Sequence, residues 1–281
     1  MIVFKKAADI GFFVQAAQAA GRPTGFVPTM GALHAGHISL VEKVKQAGEI
    51  CTCSIFVNPT QFNNSKDFDK YPVTIERDID MLEAAGCDAL FLPSVAEVYP
   101  GGTASTRHYD LGYLETVLEG ASRPGHFQGV CQVVDRLLNI IPARHLYLGQ
   151  KDYQQCMVIN KMIEITGKPT RLVIVPTVRE ASGLAMSSRN MRLSENEKEK
   201  ATALSQMLAG IKQNIKPGSI DALLKESIAD LETSGFKVDY VSIADAKTLE
   251  LLHEWDGQRE IVALVAAFLG EVRLIDNLAI N

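Results

Sequence analysis

The chain has 281 residues, 47% hydrophobic and 22% charged, which suits one large globular domain or two modest ones with a core that needs no covalent staples. A net charge of −5 argues against a general nucleic-acid binder, because phosphate backbones call for a basic face. Five cysteines without a CxxC pair, no signal-peptide pattern at the start and no apolar run longer than Ile261–Leu269 point to a reducing, cytoplasmic setting and no membrane span.

The first informative segment is Gly25–Val27, a predicted strand, followed by Pro28-Thr29-Met30-Gly31-Ala32-Leu33-His34-Ala35-Gly36-His37. Ile38, Val41, Val44 and Ala47 then fall at helical spacing, predicting a helix over His37–Ala47. A strand, a glycine-bearing loop and a helix N-terminus make a phosphate receptor, since the first turn leaves backbone N–H groups free and carries partial positive charge. Gly31 and Gly36 let the backbone approach a ligand closely. Two imidazoles three residues apart add donors that can follow charge onto phosphate oxygens. The same spacing fits half of a zinc site, but no carboxylate or cysteine cluster stands beside it in the sequence to complete one.

Ile50–Val57 reads as the next strand, with Cys51 and Cys53 on one face, more often core than metal. It ends in Phe56-Val57-Asn58-Pro59-Thr60-Gln61-Phe62. The amides of Asn58 and Gln61 can read a carboxylate or hydroxyl without adding charge, although Asn-Pro is also an ordinary turn. A helix over Thr74–Ala85 and a strand at Ala89–Leu92 follow. Ser122-Arg123-Pro124-Gly125-His126-Phe127 is a loop carrying a cation and an imidazole, ahead of a helix over Gly129–Ile140.

The strand His145–Leu148 leads into Gly149-Gln150-Lys151-Asp152-Tyr153-Gln154-Gln155, which opens a helix over Gln154–Thr166. Lys151 can place a point charge on nucleotide phosphates. Asp152 suits a helix cap, a ribose hydroxyl or a magnesium ion, and Gln155 lies about one turn into the helix. Leu172–Val175 is the last strand of this alternating region. Strand–helix alternation predicts an α/β fold, a doubly wound parallel sheet whose ligands bind at the carboxyl ends of the strands.

Pro176–Asn190 is a polar loop ending in Met186-Ser187-Ser188-Arg189-Asn190, two hydroxyls and a guanidinium suited to phosphate. A single long helix is predicted over Ser194–Ile215, with Ser194 and Glu197 as a capping box. A second helix over Ile220–Thr233 and strands at Val238–Ala244, Ile261–Leu269 and Val272–Asp276 suggest a smaller α+β C-terminal domain. The boundary falls near Pro176, giving residues 1–176 and 177–281.

Four segments together resemble the pantoate–β-alanine ligases, a family within the HxGH nucleotidyltransferases: Pro28 to His37, Phe56 to Phe62, Gly149 to Gln155, and Pro176-Thr177-Val178-Arg179-Glu180 through Met186 to Asn190. The HxGH element alone marks the superfamily; Asn-Pro-x-Gln with Lys-Asp-x-x-Gln marks the family. The resemblance implies a Rossmann-like first domain and ATP-dependent joining of D-pantoate to β-alanine through pantoyl adenylate, with AMP and pyrophosphate released. It implies an ATP site from Met30, Gly31, Ala32, Leu33, His34, Ala35, Gly36, His37, Gly149, Gln150, Lys151, Asp152, Val178, Met186, Ser187, Ser188 and Arg189. His34, His37, Lys151, Ser187 and Arg189 would carry catalysis, with His37 as proton donor.

By the same resemblance Gln61 and Gln155 would hold pantoate, and Gln61 would also meet β-alanine. Arg123 and His126 would border the pocket. The second domain would act as a lid, Mg2+ would accompany ATP, and the assembly would be a homodimer. Some family members carry adjacent acids bearing on metal where this chain has Glu76-Arg77-Asp78; Arg77 interrupts them, so no metal ligand is carried over. Another small-molecule nucleotidyltransferase and a non-catalytic nucleotide-binding regulator are the rival readings. The paired glutamines weigh against the first, and the joint presence of both histidines, Lys151 and Arg189 against the second.

Overall fold

The computed structural model describes residues 1–61, 72–103 and 107–280. Phe62, the last residue of the Asn-Pro-x-Gln segment, lies outside the described residues. The chain divides into two compact units, Met1–Gly149 with Gln154–Pro176, and Gln150–Tyr153 with Thr177–Asn281.

Among the described residues, the first unit is built on six strands: β1 (Ile2–Phe4), β2 (Thr24–Thr29), β3 (Ile50–Ile55), β4 (Ala89–Phe91), β5 (His145–Gly149) and β6 (Arg171–Val175). All pair in parallel, in the order β1-β4-β3-β2-β5-β6. Helices α1 (Ala7–Ala19), α2 (Ala35–Gln46), α3 (Ile75–Ala84), α4 (His126–Ile140) and α5 (Tyr153–Thr166) accompany the strands.

A parallel sheet covered on both faces buries every residue of its central strands, and side chains alternate between two cores. Phe26, Phe91 and Leu146 join Leu137 and Leu138 of α4 and Ile159 and Met162 of α5 in one core. Their neighbours Val27, Leu90 and Tyr147 join Val41 and Val44 of α2 and Leu82 of α3 in the other. Cys51 and Cys53 both lie in this second core, as their spacing predicted.

The predicted strands and helices between Gly25 and Val175 are present, shifted by three residues or fewer at their ends. β1 and α1 have no counterpart in the sequence reading. β1 is only three residues long, and Phe12, 75% exposed, blurs the apolar face of α1.

The strand order reverses between β2 and β5, and such switch points open a crevice at the carboxyl ends of the strands. The β2–β5 ladder is only two residues long, Gly25↔His145 and Phe26↔Leu146. Pro28 fits that early end. The Pro23 and Thr29 carbonyls accept bonds from Ile50 and Phe56 on the β3 side. By alternation, the missing N–H of Pro28 falls on the β5 side, where no ladder needs it.

The second unit packs α6 (Glu195–Ala201), α7 (Ala203–Asn214) and α8 (Asp221–Thr233) with an antiparallel sheet of order β9-β8-β7. Its strands are β7 (Lys237–Asp245), β8 (Ile261–Leu269) and β9 (Val272–Ile280). Leu204, Leu208, Ile211 and Leu231 meet Ile243, Ala263, Val265 and Leu274 in one core. The Ser194–Glu197 capping box is formed, Ser194 N donating to Glu197 Oε2 at 2.8 Å.

Two expectations are corrected in this unit. The single helix over Ser194–Ile215 is two helices meeting at Thr202, whose hydroxyl donates back to the Glu199 carbonyl at 2.6 Å, a bond that competes with the helical ladder. The last strand continues from Asp276 to Ile280, paired with β8 throughout. Among the described residues no helix is long and apolar enough to cross a membrane.

Candidate active site

The loop after β2 is fixed from below before it offers anything to a ligand. Gly31 (φ +85°) and Ala32 (φ +49°) both take left-handed backbone, which an alanine adopts only under constraint. Asp78 of α3 supplies it: Ala32 N donates to Oδ2 at 2.9 Å and Leu33 N donates to Oδ1 at 2.8 Å. Thr74 Oγ1 adds a third bond to Oδ1 at 3.0 Å. Asp78 is fully buried, so its charge is balanced by these donors rather than by water. A Cβ on Gly31 would stand 3.1 Å from Asp78 Oδ2 and from Ile55 Cγ2, so the turn needs glycine for space as well as for φ.

The chain then enters α2 with His34 as N-cap. Gly36 N donates to His34 Nδ1 at 3.2 Å, and His34 N donates to His37 Nδ1 at 3.3 Å, while the rings lie 4.1 Å apart. Both imidazoles accept at Nδ1, so each neutral ring carries its proton on Nε2. The first turn of α2 therefore holds two Nε2–H donors at the positive end of a twelve-residue helix.

A second polar cluster follows β3. Asn58, fully buried, donates from Nδ2 to the Gly129 carbonyl at 3.2 Å and to Gln61 Oε1 at 3.4 Å. Its Oδ1 accepts from the Tyr99 hydroxyl at 2.9 Å and from Thr60 Oγ1 at 3.2 Å. Burial raises the Tyr99 pKa, which keeps this phenol a donor. His126 Nδ1 bonds the Gln61 carbonyl at 2.9 Å, and Gln61 Nε2 reaches Met30 Sδ at 2.8 Å. Gly129 lets α4 approach, because a Cβ there would lie 2.4 Å from the Thr60 carbonyl oxygen. The structure thus brings Gln61, Met30 and His126 together and makes Asn58 the anchor of the turn.

The two glutamines of α5 differ. Gln154 is buried and bridges the Leu114 and Val117 carbonyls and the Glu119 N–H. Gln155 is half-buried on the same helix.

In the second unit, residues 150–152 form a single 3-10 turn, with Lys151 Nζ 4.0 Å from Asp152 Oδ1. Val178 and Met186 pair across a short hairpin, Met186 N donating to the Val178 carbonyl at 3.0 Å. Arg179 bridges to Ala185 in the same hairpin. Ser187 then caps a 3-10 helix, Ser188–Arg192, accepting from Arg189 N at 3.2 Å. Asn190 Nδ2 ties this helix back to Glu180 Oε1 and the Ala185 carbonyl.

Asp78, Asn58 as an anchor, and the buried pair Asp276-Asn277 escaped the sequence reading. Asp276 and Asn277 had a readable signal: two consecutive polar residues in the middle of a nine-residue, largely apolar strand.

Asp78, the acid that holds the histidine loop, commits both oxygens to backbone amides, and among the described residues no three His, Cys, Asp or Glu side chains cluster to hold an ion.

A parallel sheet with a switch point, and a histidine-capped helix opening beside it, define a nucleotide-handling α/β enzyme. The family model for pantoate-beta-alanine ligase matches residues 2–279. The chain is 46% identical over 259 residues to a pantothenate synthetase of Cytophaga hutchinsonii, covering 91% of each. It is 42% identical over 282 residues to one of Porphyromonas gingivalis, covering 99% of each. Among solved structures, a pantothenate synthetase of Thermus thermophilus superposes with a TM-score of 0.88 at 40% identity, over 99% of both chains. A pantoate-beta-alanine ligase from Francisella tularensis, complexed with beta-gamma ATP and beta-alanine, gives 0.83 at 35% identity over 99% of this chain and 97% of that one. The chain belongs to the pantoate–β-alanine ligase family.

Proposed function

We propose that His34, His37, Lys151, Ser187 and Arg189 carry the adenylation chemistry of this chain. As its family membership shows, the chain is an ATP-dependent ligase that joins pantoate and β-alanine to make pantothenate. The observation that carries the residue-level reading is the pair of Nε2–H donors at the N-terminus of α2, reached directly from β2 at the switch point.

The difficulty of the first half-reaction is an anion attacking an anion. A pantoate carboxylate oxygen attacks the α-phosphorus, and the bond to the bridging oxygen of pyrophosphate breaks. Negative charge grows on the leaving pyrophosphate, and fixed donors that meet it there lower the barrier. His34 and His37 supply such donors from one helix end, with His37 as the Nε2–H hydrogen-bond donor to the leaving oxygen. Lys151 and the Ser187-Ser188-Arg189 turn supply positive charge and hydroxyls for the triphosphate. Met30 to Ala35, Gly36, Gly149, Gln150, Asp152, Val178 and Met186 complete the ATP site. Mg2+ enters as MgATP, the substrate, with its charge on the phosphates.

Gln61 and Gln155 hold pantoate. Neutral amides suit that task, since a cation there would pair with the nucleophilic carboxylate and blunt it. His126 holds the backbone carbonyl of Gln61, while its side-chain amide is set by Asn58 Nδ2 at Oε1 and Met30 Sδ at Nε2, so its orientation is fixed before substrate arrives. In the second half-reaction the β-alanine amine attacks the acyl carbon, AMP leaves, and an amide bond remains; Gln61 meets this second substrate too. We read the assembly as a homodimer in the cytoplasm, from the family resemblance and the composition.

The test is exchange of labelled pyrophosphate into MgATP without β-alanine. Exchange that requires D-pantoate supports pantoyl adenylate. Exchange without pantoate, or none in folded protein that binds ATP, rejects it.

A further inference from the structure

We propose that Asp276 and Asn277, consecutive residues on β9, are positioning residues for the phosphate-handling groups, setting the turn that carries Lys151 and the hairpin that carries Ser187 and Arg189. The inference rests on the adenylation roles proposed for those three residues.

Asp276 is 4% exposed and Asn277 is 2% exposed. Buried polar side chains on a strand cost stability unless their partners are complete, so what they hold is informative. Asn277 Nδ2 donates to two successive carbonyls, Gln150 O at 3.0 Å and Lys151 O at 2.8 Å, and its Oδ1 accepts from Gln150 Nε2 at 3.3 Å. One side chain thereby fixes the two peptides that flank the Lys151 Cα. A lysine on a flexible four-carbon stem is only as well placed as its Cα.

Asp276 faces the other way along the strand and takes Arg179. The guanidinium binds it bidentately, Nη1 to Oδ2 at 2.6 Å and Nη2 to Oδ1 at 3.0 Å. Arg179 Nη1 also donates to the Gly183 carbonyl at 3.2 Å, at the tip of the hairpin whose far strand runs into Ser187. The two arms join at one atom: Asp276 Oδ1 accepts both Arg179 Nη2 and the backbone N–H of Asn277 at 2.8 Å. β9 correspondingly packs against both 3-10 segments, residues 150–152 and 188–192. Two segments far apart in sequence are held in one register by a dipeptide near the chain's end.

The experiment uses the full-length chain and begins with wild-type pantoate-dependent pyrophosphate exchange; its absence would defeat the functional reading itself and leave the positioning claim without an object. With exchange established, Asn277→Ala lowers kcat/KM for MgATP by roughly 10- to 100-fold, while the KM for pantoate stays within about twofold, as a displaced charge predicts. A merely structural role would not give the next result: in a Lys151→Ala background, Asn277→Ala costs less than about threefold more, because both changes remove the same interaction. Full multiplicative loss in that background, or a wild-type MgATP dependence in Asn277→Ala, overturns the proposal. Should Asn277→Ala fail to fold, Asn277→Ser, which retains one donor, gives the same comparison at smaller amplitude. Arg179→Lys paired with Arg189→Ala tests the second arm by the same non-additivity.

Discussion

His37 accepts the backbone N–H of His34 through Nδ1, at 3.3 Å, so the second histidine of the loop caps the helix that the first one begins. The bond decides the tautomer and separates two roles within one ring. Nδ1 maintains the loop, and Nε2–H is the donor assigned to phosphate. His37→Asn retains an acceptor near the Nδ1 position and removes the Nε2 donor. We expect turnover in pyrophosphate exchange to fall roughly 10²- to 10³-fold, as for loss of one preorganised transition-state donor. MgATP affinity by calorimetry should change by less than about threefold. Unchanged turnover would remove His37 from the chemistry.

Asp78 holds the same loop from beneath. Asp78→Asn keeps the shape but turns an amide NH2 toward backbone N–H groups that donate to the carboxylate at 2.8 and 2.9 Å. The left-handed Ala32 then loses the bond that offsets its strain. The expected loss is about 1.5–3 kcal/mol in urea unfolding, the range for bonds to a charged group. Exchange activity should drop in the folded fraction as well, because the His34 N-cap is launched from this backbone. A variant of wild-type stability and activity would show that the loop keeps its conformation unaided.

How much of this was legible beforehand follows the range of the interactions. Strand, loop and helix around His34 are local, encoded by apolar periodicity and by Gly31, and the observed bounds lie within a few residues of the predicted ones. The capping box at Ser194 and Glu197, which spans one turn, is local too. The Asp78 bonds cross 45 and 46 positions and those of Asn277 to the 150–152 turn cross 126 and 127; no window of periodicity contains them. Arg77 in the acidic segment raised a question about metal, and the structure answers a different one, since its neighbour Asp78 is committed to the backbone. The Thr202 break was hidden because threonine is tolerated within helices, and the junction shows only in the bonds that its N–H and hydroxyl both make to the Glu199 carbonyl.

Two adjacent glutamines give opposite expectations. Gln154→Ala strands two carbonyls and one N–H in the 114–119 segment and should cost about 1–3 kcal/mol of stability. Gln155→Ala should leave the melting temperature near wild type and raise the KM for pantoate well above any change in that for MgATP. Equal shifts in both Michaelis constants would take Gln155 out of the pantoate site.

Stability should fall on the alkaline side. Burial pushes the Cys131 thiol up to about 12, from an ordinary value near 8.5. Tyr147 is likewise raised to about 12 by burial, with the Glu49 carboxylate adding to it, from about 10. Between the ordinary and the raised values the unfolded chain has released protons that the native chain retains. Unfolding therefore releases protons, and stability falls as pH rises through this window. Each group contributes a slope of at most about 1.4 kcal/mol per pH unit, Cys131 from about pH 8.5 and Tyr147 from about pH 10. Urea midpoints taken from about pH 8 to about pH 10 should decline, and Cys131→Ala, though less stable at neutral pH for its lost packing, should decline less over the same interval. Parallel curves for the two proteins would mean that the thiol ionises in the folded chain as readily as in the unfolded one.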